Sequence, residues 1–225
     1  MKQLILDISP AAQPTLDNFV AGRNAELLQL LRDMLAARQQ ERFVHIWGEP
    51  GSGRSHLLAA FARQATLSGR EAAYVETASA QETLAGFSDS HVVALDDAER
   101  LDADAQIALF NLYNRLRDGG GMLLVSGNAA PSQLPLRQDL VTRLGWGLVY
   151  QVHALSDADK VAALKTHARE RGFELADAVT LYLLRHWRRD LPALLSVLDA
   201  LDRYSLETKR PITVPLLREI LHAPA

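Results

Sequence analysis

Apolar positions change their spacing along this chain in a way that divides it into three stretches. Residues 1–12 open on a short apolar alternation, Gln3-Leu4-Ile5-Leu6-Asp7-Ile8, which Ser9-Pro10-Ala11-Ala12 breaks before anything packs, so they read as a tail. From 13 to 155, short apolar runs alternate with segments of helical spacing. Leu27, Leu28, Leu31, Met34 and Leu35 form an amphipathic stripe behind Asn24, a fair helix cap. Strands are predicted at 43–47, 72–76, 91–97, 122–126 and 148–153. Helices are predicted between them at about 54–68, 79–87, 104–117 and 132–144. From 156 to 225 only helical spacing remains, at about 156–171, 177–188, 191–206 and 214–221. Parallel strands need crossovers of a dozen or more residues, so the middle stretch predicts an α/β domain, a parallel sheet with helices on both faces. A small all-α domain follows it. Ligands of such sheets bind at the carboxyl ends of the strands, so those ends are where chemistry is sought.

Three of them carry it. After the first strand, Gly48 to Ser55 has the spacing G-x-x-x-x-G-K-[ST] of a P-loop, whose backbone N–H groups and following helix N-terminus surround nucleotide phosphates. Gly48, Pro50, Gly51, Ser52, Gly53, Arg54, Ser55 and His56 are therefore candidate nucleotide-binding residues. Arg54 stands where lysine is expected, which keeps the charge but replaces a compact ammonium with a planar fork. Ser55 is the candidate hydroxyl facing Mg²⁺. After the third strand, Asp96-Asp97 has the form of a Walker B element, in which Asp96 would hold Mg²⁺ and Asp97 would orient the attacking water. Paired aspartates at a strand end also make an ordinary turn. After the fourth strand, Asn128 is placed to meet a γ-phosphate or its water, and serves equally as a turn-forming residue. Arg143, ahead of Gly145-Trp146-Gly147, is by itself a solvated charge and gains interest only if another protein's nucleotide docks against it. Trp47, Trp146 and Trp187 read as packing residues, and the scattered histidines lack metal-ligand spacing.

Composition removes several classes. With 48% apolar and 23% charged residues the chain is that of an ordinary globular protein. It has no cysteine, which excludes disulfides and thiolate metal sites. A net charge of −3 argues against binding nucleic acid by charge alone. No run approaches the roughly 18 apolar residues of a membrane span, and no signal peptide opens the chain, so a cytoplasmic protein without membrane contact is expected.

The order P-loop, paired aspartates, polar fourth-strand residue, later arginine and helical lid resembles an AAA+ module. Thr15-Leu-Asp-Asn-Phe-Val-Ala-Gly-Arg-Asn24 is similar to the entry segment of the AAA+ domain of DnaA, the bacterial replication initiator. Gly51-Ser-Gly-Arg-Ser-His-Leu-Leu58, Phe110-Asn-Leu-Tyr-Asn-Arg115, Arg143-Leu-Gly-Trp-Gly147, Leu155-Ser-Asp-Ala-Asp-Lys160 and Arg171-Gly-Phe-Glu-Leu175 resemble segments of the Hda family of DnaA-related regulatory inactivators. That resemblance covers nearly the whole chain, and the arginine in the loop is itself a trait of the family. It implies ADP or ATP with Mg²⁺ as cofactor, with Phe19 and Val20 walling the base. It implies a clamp-binding peptide in Gln3, Leu4, Leu6 and Ile8, through which the DNA polymerase sliding clamp is bound and DNA is met only indirectly. It implies that Arg143 is an arginine finger acting in trans on ATP held by DnaA, so that initiation is switched off after replication begins. Self-association into a homo-oligomer is left open.

One position departs from the pattern. Where related lids carry a nucleotide-sensing arginine, this chain has Pro192, so either Arg188 or Arg189 substitutes or the lid is poorly coupled to the γ-phosphate. Together with Arg54 this predicts weak intrinsic ATPase activity. The rival expectations are a motor ATPase of the helicase-loader type, against which Arg54 and the acidic balance count, and a P-loop phosphotransferase, against which the helical C-terminal stretch counts.

Overall fold

The computed structural model describes residues 13–187 and 190–221, and its chain divides into two compact units, Gln13–Ala154 and a helical unit that begins at Leu155. Gln3, Leu4, Leu6 and Ile8 of the expected clamp peptide, and the lid arginines Arg188 and Arg189, lie outside the described residues.

In the first unit five parallel strands, β1 (Phe43–Trp47), β2 (Ala72–Val75), β3 (Val92–Leu95), β4 (Met122–Gly127) and β5 (Leu148–Gln151), lie in the order β2-β3-β4-β1-β5. Alternate residues of the buried strands serve opposite faces, as the pleat requires. Val44 and Ile46 of β1 and Leu124 of β4 pack with Leu27, Leu31 and Met34 of α1 (Ala25–Leu35) and Leu57, Leu58 and Phe61 of α2 (Arg54–Leu67). Phe43, Leu123 and Val125 point the other way, into Leu84 of α3 (Ala80–Ala85), Leu109, Leu112 and Leu116 of α4 (Ala103–Gly119), and Leu140 and Leu144 of α5 (Gln138–Leu144). Strands covered on both faces read as continuous apolar runs, which is why Val92-Val-Ala-Leu95 shows no alternation of its own. Register brings the carboxyl ends of β1 and β4 level, Trp47 opposite Gly127 and Ile46 opposite Ser126.

Two local expectations are corrected. The helix predicted over 132–144 is a single 3₁₀ turn, Pro131–Gln133, followed by an extended Leu134 with ψ 142° and then the short α5. Pro135 causes this, because the residue ahead of a proline is driven out of the helical region. Asn24 occupies the cap position of α1, yet its side chain makes no cap hydrogen bond. It instead donates to the His153 carbonyl (2.9 Å) and accepts the His153 N–H (2.7 Å), and being 3% exposed it pins the start of α1 to the segment leaving β5.

The second unit contains α6 (Asp157–Glu170), α7 (Asp177–His186), α8 (Leu191–Thr208) and α9 (Val214–Leu221) around a core of its own that includes Leu164, Leu183, Leu194, Leu198, Leu216 and Leu217. A capping box opens α6: Ser156 accepts the Asp159 N–H, and the Asp159 carboxylate accepts the Ser156 N–H. Pro192 sits in the first turn of α8, where its missing N–H costs nothing, and Asp190 caps that turn by accepting from Ala193 (3.0 Å). Among the described residues no helix is long and apolar enough to cross a membrane.

Candidate functional site

The loop between β1 and α2 is built for close approach. Gly48 N–H donates to the Gly127 carbonyl of β4 (3.3 Å), and a β-carbon on Gly48 would collide with the Val152 carbonyl oxygen, so only glycine fits there. Gly51 and Gly53 have φ of +80° and +101°, left-handed values that a side chain resists. Pro50, Gly51 and Ser55 line an exposed lip, whereas Ser52 is 5% exposed and its buried Oγ has no hydrogen-bond partner among the described residues. Arg54 has a side chain only 10% exposed. Its Nη2 donates to Asp97 Oδ1 (3.3 Å), while its Nη1 is buried with no partner. An unpaired buried hydroxyl and an unpaired guanidinium nitrogen are costly unless something supplies acceptors. An anionic phosphate in the cradle would supply them, so the residues present fit a nucleotide phosphate.

Phe19 closes one side of the cradle: a β-carbon on Gly53 would lie 2.8 Å from its ring, which also packs 5.5 Å from the His56 ring. Burial holds the His56 pKa below its usual value, against the opposing effect of the bond from Nε2 to the Thr15 carbonyl (3.0 Å). Val20 is half-buried one residue on. This wall places Phe19, Gly53 and His56 side by side, in keeping with a site for a base.

Asp96 and Asp97 behave differently from each other. Burial alone would raise the Asp96 pKa, but hydrogen bonds from Ser126, Ser55 and Tyr74 and from the Asp97 N–H outweigh it and hold the carboxyl below its usual value. Asp96 is thus held in its ionised form, and together with the Ser55 hydroxyl it would hold a Mg²⁺ that offsets phosphate charge. Among the described residues no three His, Asp or Glu side chains form a metal cage. A P-loop ion does not need one, because water and phosphate complete its shell. Asp97 has φ +50° and turns outward, with Oδ1 on Arg54 and Oδ2 on Arg100 (3.5 Å). The two residues expected to act separately, one on phosphate and one on water, are therefore ion-paired. Tyr74, Thr77 and Ser126 complete this corner, Thr77 donating to the Asp96 carbonyl (2.7 Å), and all three escaped the sequence reading. Ser126, the polar end of an apolar strand, was the one visible clue. A cavity of about 510 Å³ opens here, lined by Tyr74, Glu76, Thr77, Asp96, Asp97 and Arg100. Asn128 is exposed one residue past Gly127, beside the loop.

Arg143 is elsewhere. It lies in the last turn of α5, and Gly147, four residues on, abuts the backbone of Phe43, the first residue of β1, whereas the loop leaves that strand after Trp47. Five residues of strand, roughly 16 Å, separate the two ends. Trp146 is not the packing residue expected: it is 56% exposed, with the Arg143 guanidinium carbon 4.0 Å from its ring centroid.

Comparison with known proteins adds three findings. A family model described as "Hda, lid domain" matches residues 157–221. A Haemophilus influenzae protein described as uncharacterized is 36% identical over 229 residues, covering 98% of this chain and 99% of its own. Domain III of the replication initiation protein DnaA from Thermotoga maritima shares the fold with a TM-score of 0.74 at 19% identity, over 95% of this chain and 98% of that one. AMPPCP-bound DnaA from Aquifex aeolicus does so with a TM-score of 0.69 at 20% identity, over 90% and 71%.

Proposed function

Because this chain belongs to the Hda/DnaA-related family of AAA+ proteins, we propose that it is a negative regulator of replication initiation that promotes hydrolysis of the ATP bound to DnaA. The observation that carries the reading is that the turn following Arg143 packs, through Gly147, on the first residue of β1, about one strand length from the end where the chain's own loop begins. An arginine at that end of the sheet has no nucleotide of its own chain to serve, and it is partly exposed toward whatever docks there. Supplied in trans, its charge would stabilise the transferring phosphoryl group of the partner's ATP, an effect worth about 10³–10⁵ in rate.

In this reading the chain's own site holds ADP or ATP with Mg²⁺. Gly48 to His56 would cradle the phosphates, Ser55 and Asp96 would hold the ion, Asn128 would face the terminal phosphate, and Phe19 and Val20 would wall the base. The bound ion would offset phosphate charge. Ser52 Oγ and Arg54 Nη1 would lose their unpaired status on the phosphate oxygens. Asp97, the residue expected to orient water, is held by Arg54 and Arg100, which supports weak intrinsic turnover. Gln3, Leu4, Leu6 and Ile8 would tether the protein to the DNA-loaded sliding clamp as an extended peptide, a small and individually weak contact strengthened where a ring offers more than one site.

The test is hydrolysis by ATP-loaded DnaA in the presence of clamp loaded on DNA. Wild-type protein is expected to stimulate it. Arg143→Ala is expected to reduce the stimulated rate by about 10² or more, and a Gln3→Ala/Leu4→Ala double variant to lose the dependence on clamp. Hydrolysis that proceeds without DnaA and is unaffected by Arg143→Ala would replace this reading with that of a motor ATPase.

A further inference from the structure

Tryptophan is ordinarily placed so that its ring is mostly buried, and Trp146, more than half exposed, breaks that habit. The turn that presents it is held firmly. Trp146 N–H donates to the Arg143 carbonyl (3.1 Å), Gly145 N–H donates to that of Val141 (3.0 Å), and Gly147 leaves no room for a β-carbon against Phe43. What the ring touches is charge. The Arg143 guanidinium carbon lies 4.0 Å from its centroid and 5.6 Å from that of Phe110 on α4, and Arg117 approaches the same indole at 5.7 Å. Among the described residues Arg143 makes no ion pair with a carboxylate.

We propose that Trp146 is a positioning residue, whose exposed ring face holds the Arg143 guanidinium in one pose, un-neutralised, ready for a phosphate carried by the partner protein. The proposal rests on the trans-acting reading of Arg143 and adds the group that aims it. The physical reason lies in how the two groups share the cation. A guanidinium stacks through its flat face and donates hydrogen bonds from its rim, so a ring on the face leaves the N–H fork free for phosphate oxygens. A carboxylate partner would occupy that fork and would have to be displaced at each docking. Long side chains also lose rotamer freedom when they are fixed, and the ring removes part of that freedom before the partner arrives. The backbone bond from Trp146 to Arg143 ties ring and cation to one rigid turn, so they move together.

The experiment titrates the full chain against ATP-bound DnaA with loaded clamp, and separates the maximal stimulated rate from the half-saturating concentration. Wild type, Trp146→Leu, Trp146→Ala, Trp146→Phe and Arg143→Ala are compared. Leucine keeps bulk at an exposed site without a π face, so it guards against a folding defect in the alanine variant. Trp146→Leu and Trp146→Ala are expected to lower the maximal rate about three- to tenfold, with half-saturation unchanged, and Trp146→Phe is expected to recover most of the loss. An unchanged maximal rate overturns the proposal. So does a shift in half-saturation alone, which would make Trp146 a docking contact, and so does a phenylalanine variant no better than leucine. If Arg143→Ala stimulates like wild type, the trans-acting reading itself falls, a result distinct from any of these.

Discussion

At the scale of the residue, His45 shows what a buried site costs. It lies on β1 under the loop, its Nε2 donating to the Ala129 carbonyl (3.0 Å) and its Nδ1 buried without a partner. Burial lowers its pKa to about 4, with the Ala129 bond opposing and the charge of Arg54 adding to the decrease. The sign follows from proton counting. Between about pH 6.5 and 4 the unfolded chain binds a proton at this histidine and the folded one does not, so folded stability falls as pH drops through that window. The loss comes to about 3 kcal/mol by the time pH 4 is reached. Asp96 acts lower down: its depressed carboxyl adds stability above the ordinary aspartate value, and that stability is lost as pH falls through the folded value. Urea unfolding of His45→Gln, which keeps a donor for Ala129, is expected to show a flatter pH dependence than wild type between 6.5 and 4.5. An unaltered slope would mean that His45 is not the group responsible.

At the scale of the element, Asn24 separates two roles that a sequence cannot. As a cap it would be replaceable by serine, an equally good cap. As a buried clasp on the His153 backbone it is not, since serine is too short to meet both the N–H and the carbonyl. Asn24→Ser is therefore expected to cost about 1–3 kcal/mol, read as a lowered urea midpoint, where a pure cap exchange would leave it almost unmoved. The same contrast explains how much was legible beforehand. Strands and helices were read from local periodicity, and the parallel α/β sheet with its helical partner is what the chain forms. Gly51 and Gly53 were legible because each answers to its own backbone angle, whereas Gly48 answers to the Val152 carbonyl. The partners were not. Arg54 meets Asp97 across 43 positions, Asp96 meets Ser126 across 30, and Asn24 meets His153 across 129, and no spacing rule reaches that far. Pro135 was legible in principle, since its effect on Leu134 is local, yet the apolar residues around it imitated a helix.

At the scale of the whole molecule, each unit has its own core, and the tryptophans are divided between them, Trp47 and Trp146 in the α/β unit and Trp187 in the helical one. Unfolding by urea is expected to be non-coincident when followed in single-tryptophan variants that retain Trp47 or Trp187. A single shared midpoint would show that the two cores melt as one. The strand order also has a bearing on how the protein comes into being. β1 lies between β4 and β5, so both neighbours of the strand that launches the phosphate cradle are made after it, the last ending at Gln151. At about 5–20 residues per second, a ribosome needs roughly 5–20 s to pass from Phe43 to Gln151. Until β4 has been made Phe43-Val-His-Ile-Trp47 is an apolar ribbon with neither edge paired, and until β5 follows one edge stays open, a target for any chaperone that surveys the nascent chain. The strand that launches the cradle is thus synthesised early and completed late.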